Sequence, residues 1–175
     1  MDTTTALSAA QPPLETSVTR LATATRPASC SGYSQSVRRS PFVELRNTAP
    51  SNRGIIAPLV AQLLRFISRY RGGDQFEIEL ALSEALANAI VHGNHEDPDK
   101  YVYVSCRCSR DGEVSLTVQD EGEGFDVDSI PDPTTVEKRL VGAGRGIYLM
   151  RALMDEVCFE QKGTVVHLRK AVQMT

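Results

Sequence analysis

Residues 76 to 92 (FEIELALSEALANAIVH) constrain this chain more than any other stretch. Their apolar side chains run almost all round a helix, and a helix without a broad polar face must lie deep inside a domain. Asp74 can cap its start, and Gly93-Asn94 can stop it. Other elements must therefore cover this helix on several sides.

The sequence supplies those elements. Before the helix, Phe42-Val43-Glu44-Leu45-Arg46 reads as a short strand. Ser51 and Asn52 are good caps for a second helix, in which Ile55, Ile56, Leu59, Val60, Leu63, Leu64 and Ile67 recur at helical spacing. Pro58 falls in its first turns, and Gly72-Gly73 ends it. After the loop HEDPD, Val102, Val104, Cys106 and Cys108 alternate with polar or aromatic neighbours, as in a half-buried strand. Asp111-Gly112 is a hairpin turn signal, and Val114, Leu116 and Val118 continue the alternation to Asp120. Beyond a Pro-containing connection and the sequence GAGRG, a third helix runs from about Arg145 to Met154. A second hairpin follows, with strands around Val157-Cys158-Phe159-Glu160 and from Thr164 to Arg169. Strand pairs separated from runs of helices predict an α+β two-layer sandwich, with a mixed, mostly antiparallel sheet covered by helices on one face.

Composition divides the 175 residues in two. Residues 1–40 hold seven Ser, seven Thr and six Ala, with four arginines against Asp2 and Glu15. Such a segment buries too little apolar surface to offset its ordering entropy, so it reads as a disordered tail, with a weak likeness to a transit peptide. The tail carries +2, which leaves −5 of the net −3 on residues 41–175. The domain itself is placed at 41–172. A total of 19 basic and 22 acidic residues gives no general attraction to nucleic acid. No stretch approaches the roughly 20 apolar residues of a membrane helix, and no apolar block marks a secretory signal. Four cysteines, at 30, 106, 108 and 158, are too few and too scattered for a disulfide scaffold. Cys106 and Cys108 share a strand face and read as core, as does Cys158.

Three motifs carry chemistry. Glu84 and Asn88 are four apart on one helix face. They are either part of a solvent stripe with Glu77 and Ala81, or a carboxylate base beside an amide oxygen suited to a hard cation such as magnesium. Asp120-Glu121-Gly122-Glu123-Gly124-Phe125-Asp126 follows a strand directly. Asp120 there needs a hydrogen-bond donor, which an adenine amino group could supply, and Gly122 and Gly124 let the backbone approach a flat ligand. An acidic surface turn is the plain alternative; the calcium-loop pattern fails. Gly142-Ala143-Gly144-Arg145-Gly146 opens a helix, where free amides and the helix dipole favour a phosphate. It is neither a P-loop nor a dinucleotide fingerprint, and a flexible hinge fits it equally. His92 and His95 have no evident third ligand for a metal site.

The order and spacing of these motifs resemble the ATP-binding module shared by gyrase, mismatch-repair ATPases, Hsp-type chaperones and sensor histidine kinases, the GHKL superfamily. E-x-x-x-N matches its N box, D-x-G-x-G its G1 box and G-x-G-x-G its G2 box, and Lys162-Gly163-Thr164 looks like its last glycine-threonine box. Within it, ELALSEALANAIVHGN, DEGEGFD and GRGIYLMRALMDEV look like the bacterial anti-sigma factors that are also serine-protein kinases, over roughly residues 42–170.

The resemblance implies Glu84 as general base and Asn88 as ligand of Mg2+. It implies Asp120, Gly122 and Gly124 at the adenine, and Gly142, Gly144 and Gly146 at the phosphates of ATP. Arg145, Lys138 and Arg139 lie where they could reach phosphate oxygens, Thr164 belongs to the last box, and residues 130–141 would form a lid. The implied activity is phosphorylation of a serine or threonine on an anti-anti-sigma antagonist, together with sequestration of a sigma factor. The implied setting is the cytoplasm, without membrane or direct nucleic-acid contact, and a homodimer is allowed. Two other readings stay open: an ATP-binding interaction module without turnover, and a detached catalytic domain of a sensor kinase. The latter lacks a phosphoacceptor histidine upstream of the domain, since the histidines are His92, His95 and His167.

Overall fold

The computed structural model describes residues 15–21, 41–126 and 145–172. In chain order these form β1 (Glu15–Leu21), β2 (Phe42–Pro50), α1 (Ile56–Ile67), α2 (Phe76–Ala87), β3 (Tyr101–Ser109), β4 (Val114–Gln119), α3 (Arg145–Leu153), β5 (Glu156–Glu160) and β6 (Val165–Lys170). Among the described residues the strands make one sheet in the order β1-β2-β3-β4-β6-β5. Each neighbouring pair is antiparallel. The architecture is the α+β sandwich expected from the pattern of elements.

Period-two alternation sorts the sheet's two faces. Val102, Val104, Cys106 and Cys108 of β3 are buried, as are Val114, Leu116 and Val118 of β4. They join Leu59, Leu63 and Ile67 of α1 and Ile78, Leu82 and Leu86 of α2 in a single aliphatic cluster. α2 is the deep helix its composition demanded; only its first turn emerges, with Phe76 and the two glutamates Glu77 and Glu79 exposed. Asp74 caps it by accepting from the Phe76 N–H at 2.9 Å. Asn52 caps a short 3-10 turn, Arg53–Ile55, that leads into α1. Arg71, buried between the two helices, donates to the carbonyls of Gly112 and Ala171. It thereby ties the helical connection to the β3–β4 turn.

The other sheet face is polar. Glu44 of β2 is fully buried there, between Arg107 at 3.0 Å and Arg46 at 3.1 Å. Burial pushes its carboxyl pKa up, but the hydrogen bonds from Arg46 and Arg107 outweigh burial and hold it below the ordinary value. Cys158 departs from its expected place in the core. It alternates with Val157 and Phe159, which pack against the cluster, so it lies half-buried on the polar face.

Two boundaries differ from the sequence reading. Residues 15–21 fall within the stretch read as a tail, yet they form the edge strand β1, pairing from Glu15 opposite Thr48 to Leu21 opposite Phe42. An edge strand can be held by its backbone ladder with little burial, and Val18 is 63% exposed. A cross-strand bond of 2.8 Å from Asn47 Nδ2 to Thr16 Oγ1 assists. The rest of 1–40 lies outside the described residues. The second difference is at the end of α2, where the expected regular helix to His92 gives way to a wider π turn over Asn88–Gly93. Such turns are frequent at functional sites. No helix among the described residues is long and apolar enough to cross a membrane.

The aliphatic cluster sets the stability of this arrangement. Leu82→Ala, at a fully buried position of α2, should lower the unfolding free energy by about 2–5 kcal/mol in urea titrations.

Candidate functional site

The π turn places the first motif. Asn88 opens it, one helical turn beyond Glu84, and both side chains are half-buried. The α2 end carrying them meets the loop after β4, where the second motif lies. The Asp120 N–H donates to the Thr164 carbonyl at 3.0 Å. Its Oδ1 accepts from the Gly122 N–H at 2.8 Å. Burial pushes the Asp120 pKa up; the Gly122 hydrogen bond and the charge of Lys100 counter this only in part. The carboxyl packs against the backbone of Gly93. A Cβ at 93 would lie 2.5 to 2.7 Å from three of its atoms, which no side chain tolerates.

Glycines close the rest of this loop. A Cβ on Gly122 would strike the Gly93 carbonyl. Gly124 has φ +78, and a Cβ there would strike the Lys162 carbonyl, which accepts from the Phe125 N–H at 2.7 Å. The Phe125 ring lies over Gly163, itself at φ +84, and meets Phe159 edge to face at 6.0 Å. Gly122, Gly124 and Gly163 thus serve close approach within the protein, to Gly93, Lys162 and Phe125, where the sequence reading had Gly122 and Gly124 make room for a flat ligand.

The third motif enters through α3. Its first turn sits against α2: a Cβ on Gly146 would lie 2.7 Å from Glu84 Oε2 and 3.4 Å from the Asn88 amide. Arg145 is exposed beside it. Gly142 and Gly144, and residues 130–141 with Lys138 and Arg139 that were expected to form a lid, lie outside the described residues.

A cavity of about 1240 Å³ opens where these parts meet. Glu84, Asn88, Asp120, Gly124, Arg145, Gly146 and Thr164 all line it, although they come from four separate stretches of sequence. Gly122 lies behind Asp120 and does not line it. His92 and His95 are at its rim, exposed. Val118, Ile147, Met150 and Val166 give it an apolar floor. The cavity therefore offers a flat apolar slot ending on one half-buried carboxylate, and a polar end bearing a carboxylate, an amide and a helix N-terminus. Among the described residues no three His, Cys, Asp or Glu side chains converge as a metal cluster.

Sequence reasoning overlooked two contributors and left two others, Phe125 and Gly163, as members of motifs without a role of their own. Gly93 and Asn94 read only as a helix stop, yet Gly93 backs Asp120, and Asn94 is fully buried behind the loop. Phe125 and Gly163 form a wall of the cavity. The signal available was the unbroken run HGNHE after an apolar helix, where one stop residue would have sufficed.

Comparisons with known proteins bear on the domain as a whole. Residues 51–170 match the family model of the histidine kinase-like ATPase domain. The anti-sigma F factor of Heyndrickxia coagulans is 38% identical over 120 residues, spanning 66% of this chain and 78% of the relative. That of Geobacillus thermodenitrificans is 39% identical over 125 residues, 69% and 82% of the two chains. That of Geobacillus stearothermophilus is 43% identical over 100 residues, 54% and 68% of the two chains.

The raised pKa of Asp120 has a thermodynamic consequence. A group with a higher pKa folded than unfolded favours the folded state when protonated, so its contribution is lost as pH rises through the folded value. Asp120→Asn should therefore raise the thermal midpoint of the nucleotide-free protein at pH 7. It should also flatten the loss of stability between the ordinary carboxylate pKa and neutrality, as followed by circular dichroism melts across pH.

Proposed function

The chain belongs to the histidine kinase-like ATPase domain family, and within it to the anti-sigma F factors; on that premise we propose that it binds ATP, holds a sigma factor inactive and phosphorylates an anti-anti-sigma antagonist. The observation that carries this reading is the convergence of Glu84, Asn88, Asp120, Gly146 and Thr164 on one cavity.

The adenine enters the apolar slot, and its 6-amino group donates to the Asp120 carboxylate. Burial that makes this carboxylate costly in the free protein makes its hydrogen bond to a ligand strong. Gly122 and Gly124 act on the loop rather than on the base: their missing side chains let it close on Gly93 and Lys162, which holds Asp120 at the slot. The phosphates run toward the N-terminus of α3, where free amides and Arg145 meet their charge. Gly142 and Gly144 precede that helix end in sequence. Thr164, whose hydroxyl donates to the Gln161 carbonyl at 3.0 Å, keeps oxygen lone pairs for the ligand side.

The donor set at the polar end suits magnesium. Asn88 offers one hard oxygen at the cavity wall, and a magnesium ion held there would take its remaining ligands from phosphate and water. Bound there, the ion would neutralise charge on the phosphates. Glu84 lies one turn away from Asn88, at the position of a base. Its carboxylate takes the proton of a serine or threonine hydroxyl as that oxygen bonds to the γ-phosphorus and the bond to ADP breaks. Positioning and charge neutralisation do most of this work. The sigma factor and the antagonist are both soluble protein partners, which fits a cytoplasmic protein, and the same fold is compatible with a homodimer.

Two substitutions separate binding from transfer. Glu84→Gln should keep ATP affinity within about twofold and lose transfer of labelled phosphate to the antagonist by at least about 100-fold. Retention of wild-type transfer by this variant would remove Glu84 from the mechanism and favour a binding module. Asp120→Asn should weaken ATP binding by about 1–3 kcal/mol in calorimetry, the worth of a charged hydrogen bond.

A further inference from the structure

We propose that Asn94 is a positioning residue that fixes the Asp120 loop in register with the end of α2, and so sets the selectivity of the cavity for adenine. This rests on the reading of Asp120 given above. Asn94 is fully buried and uses both ends of its amide between distant segments. Its Oδ1 accepts from the Glu121 N–H at 2.8 Å, and its Nδ2 donates to the Tyr101 carbonyl at 2.9 Å. Its own N–H donates to the Ala89 carbonyl at 2.8 Å, the five-residue bond of the π turn. The widened turn is thus what presents the Asn94 side chain to the loop.

These bonds bracket one residue. The N–H before the Asp120 Cα is held by Thr164, and the next N–H along, that of Glu121, is held by Asn94. The Glu121 carboxylate adds a second tie, accepting from the Tyr101 N–H at 2.9 Å and the Tyr103 hydroxyl at 2.7 Å. Asp120 is consequently clamped between Thr164, just before β6, and the α2 exit, with Gly93 against its carboxyl. A hydrogen bond to an amino group is directional and weakens steeply when misaligned. Fixing the peptide on either side of Asp120 fixes the direction its carboxylate can offer. Asn94 touches no ligand in this scheme and acts only through Asp120.

The test is a double-mutant cycle on the full chain, read by calorimetric titration with MgATP and MgGTP. Asn94→Ala should weaken ATP binding about tenfold, the worth of one to two hydrogen bonds, and should narrow the preference for ATP over GTP. In an Asp120→Asn background the same change should cost less than about twofold, because residues that act through one another are not additive. Should Asn94→Ala fail to fold, the isosteric Asn94→Asp, which can accept from Glu121 but cannot donate to Tyr101 when ionised, completes the cycle. An equal loss in both backgrounds, or an unchanged ATP-to-GTP ratio, would show a merely structural role and overturn the proposal. Failure of the wild-type chain to bind ATP would instead overturn the cavity reading itself, and this role with it.

Discussion

The contact between the Asp120 carboxyl and the backbone of Gly93 is where the two layers of the domain lock together. Helix and sheet surfaces ordinarily stand about 10 Å apart, separated by side chains. Here the lack of a side chain at Gly93 lets the exit of α2 close directly on the Asp120 carboxyl and on the backbone at Gly122. The deep position of α2, the π turn at its end, the glycine at 122 and the buried Asn94 all serve this approach. The cavity forms beside the contact because the layers, joined at this point, diverge around it over Val118 and Ile147.

The energetics of this junction oppose stability and favour binding. A carboxylate half-buried on one backbone hydrogen bond is short of partners, and its raised pKa records that deficit. The surrounding aliphatic cluster supplies the stability that tolerates it. Strain is concentrated nearby as well: His95 and Glu96 both adopt left-handed φ values, 57 and 56, at the rim of the cavity. The exposed Arg53–Glu96 pair at 2.7 Å ties this strained corner to the start of the first helical layer. On the proposed reading, a domain of net charge −5 would hold a polyanionic nucleotide through local amides and cations rather than through bulk charge.

The fold was legible because periodicity reports burial directly. The alternation of Val102 to Cys108 specified one sheet face, which stands as read, and the all-round apolarity of 76–92 specified one central helix, which stands up to Ala87. The site was legible in part, because Glu84, Asn88 and Asp120 are polar residues at places where apolar ones were due. Gly93 and Asn94 were opaque for the opposite reason. Glycine and asparagine after a helix are what many helix ends contain, and only the packing of Asn94 against the Asp120 loop distinguishes a clamp from a stop. The π turn was hidden because a one-residue widening leaves the apolar pattern nearly unchanged. β1 was hidden because an edge strand of Thr, Ser, Val and Arg needs no buried face, so composition alone resembles that of a tail.

The central claim is that Asp120 reads the amino group of adenine, and deleting that group from the ligand tests it without altering the protein. Titration of the wild-type chain with ATP and with purine riboside triphosphate, which lacks the 6-amino group, compares the two directly. Loss of a charged hydrogen bond should weaken the analogue at least about tenfold relative to ATP. Equal affinities would contradict the assignment of Asp120 and, with it, the orientation of the nucleotide in the cavity.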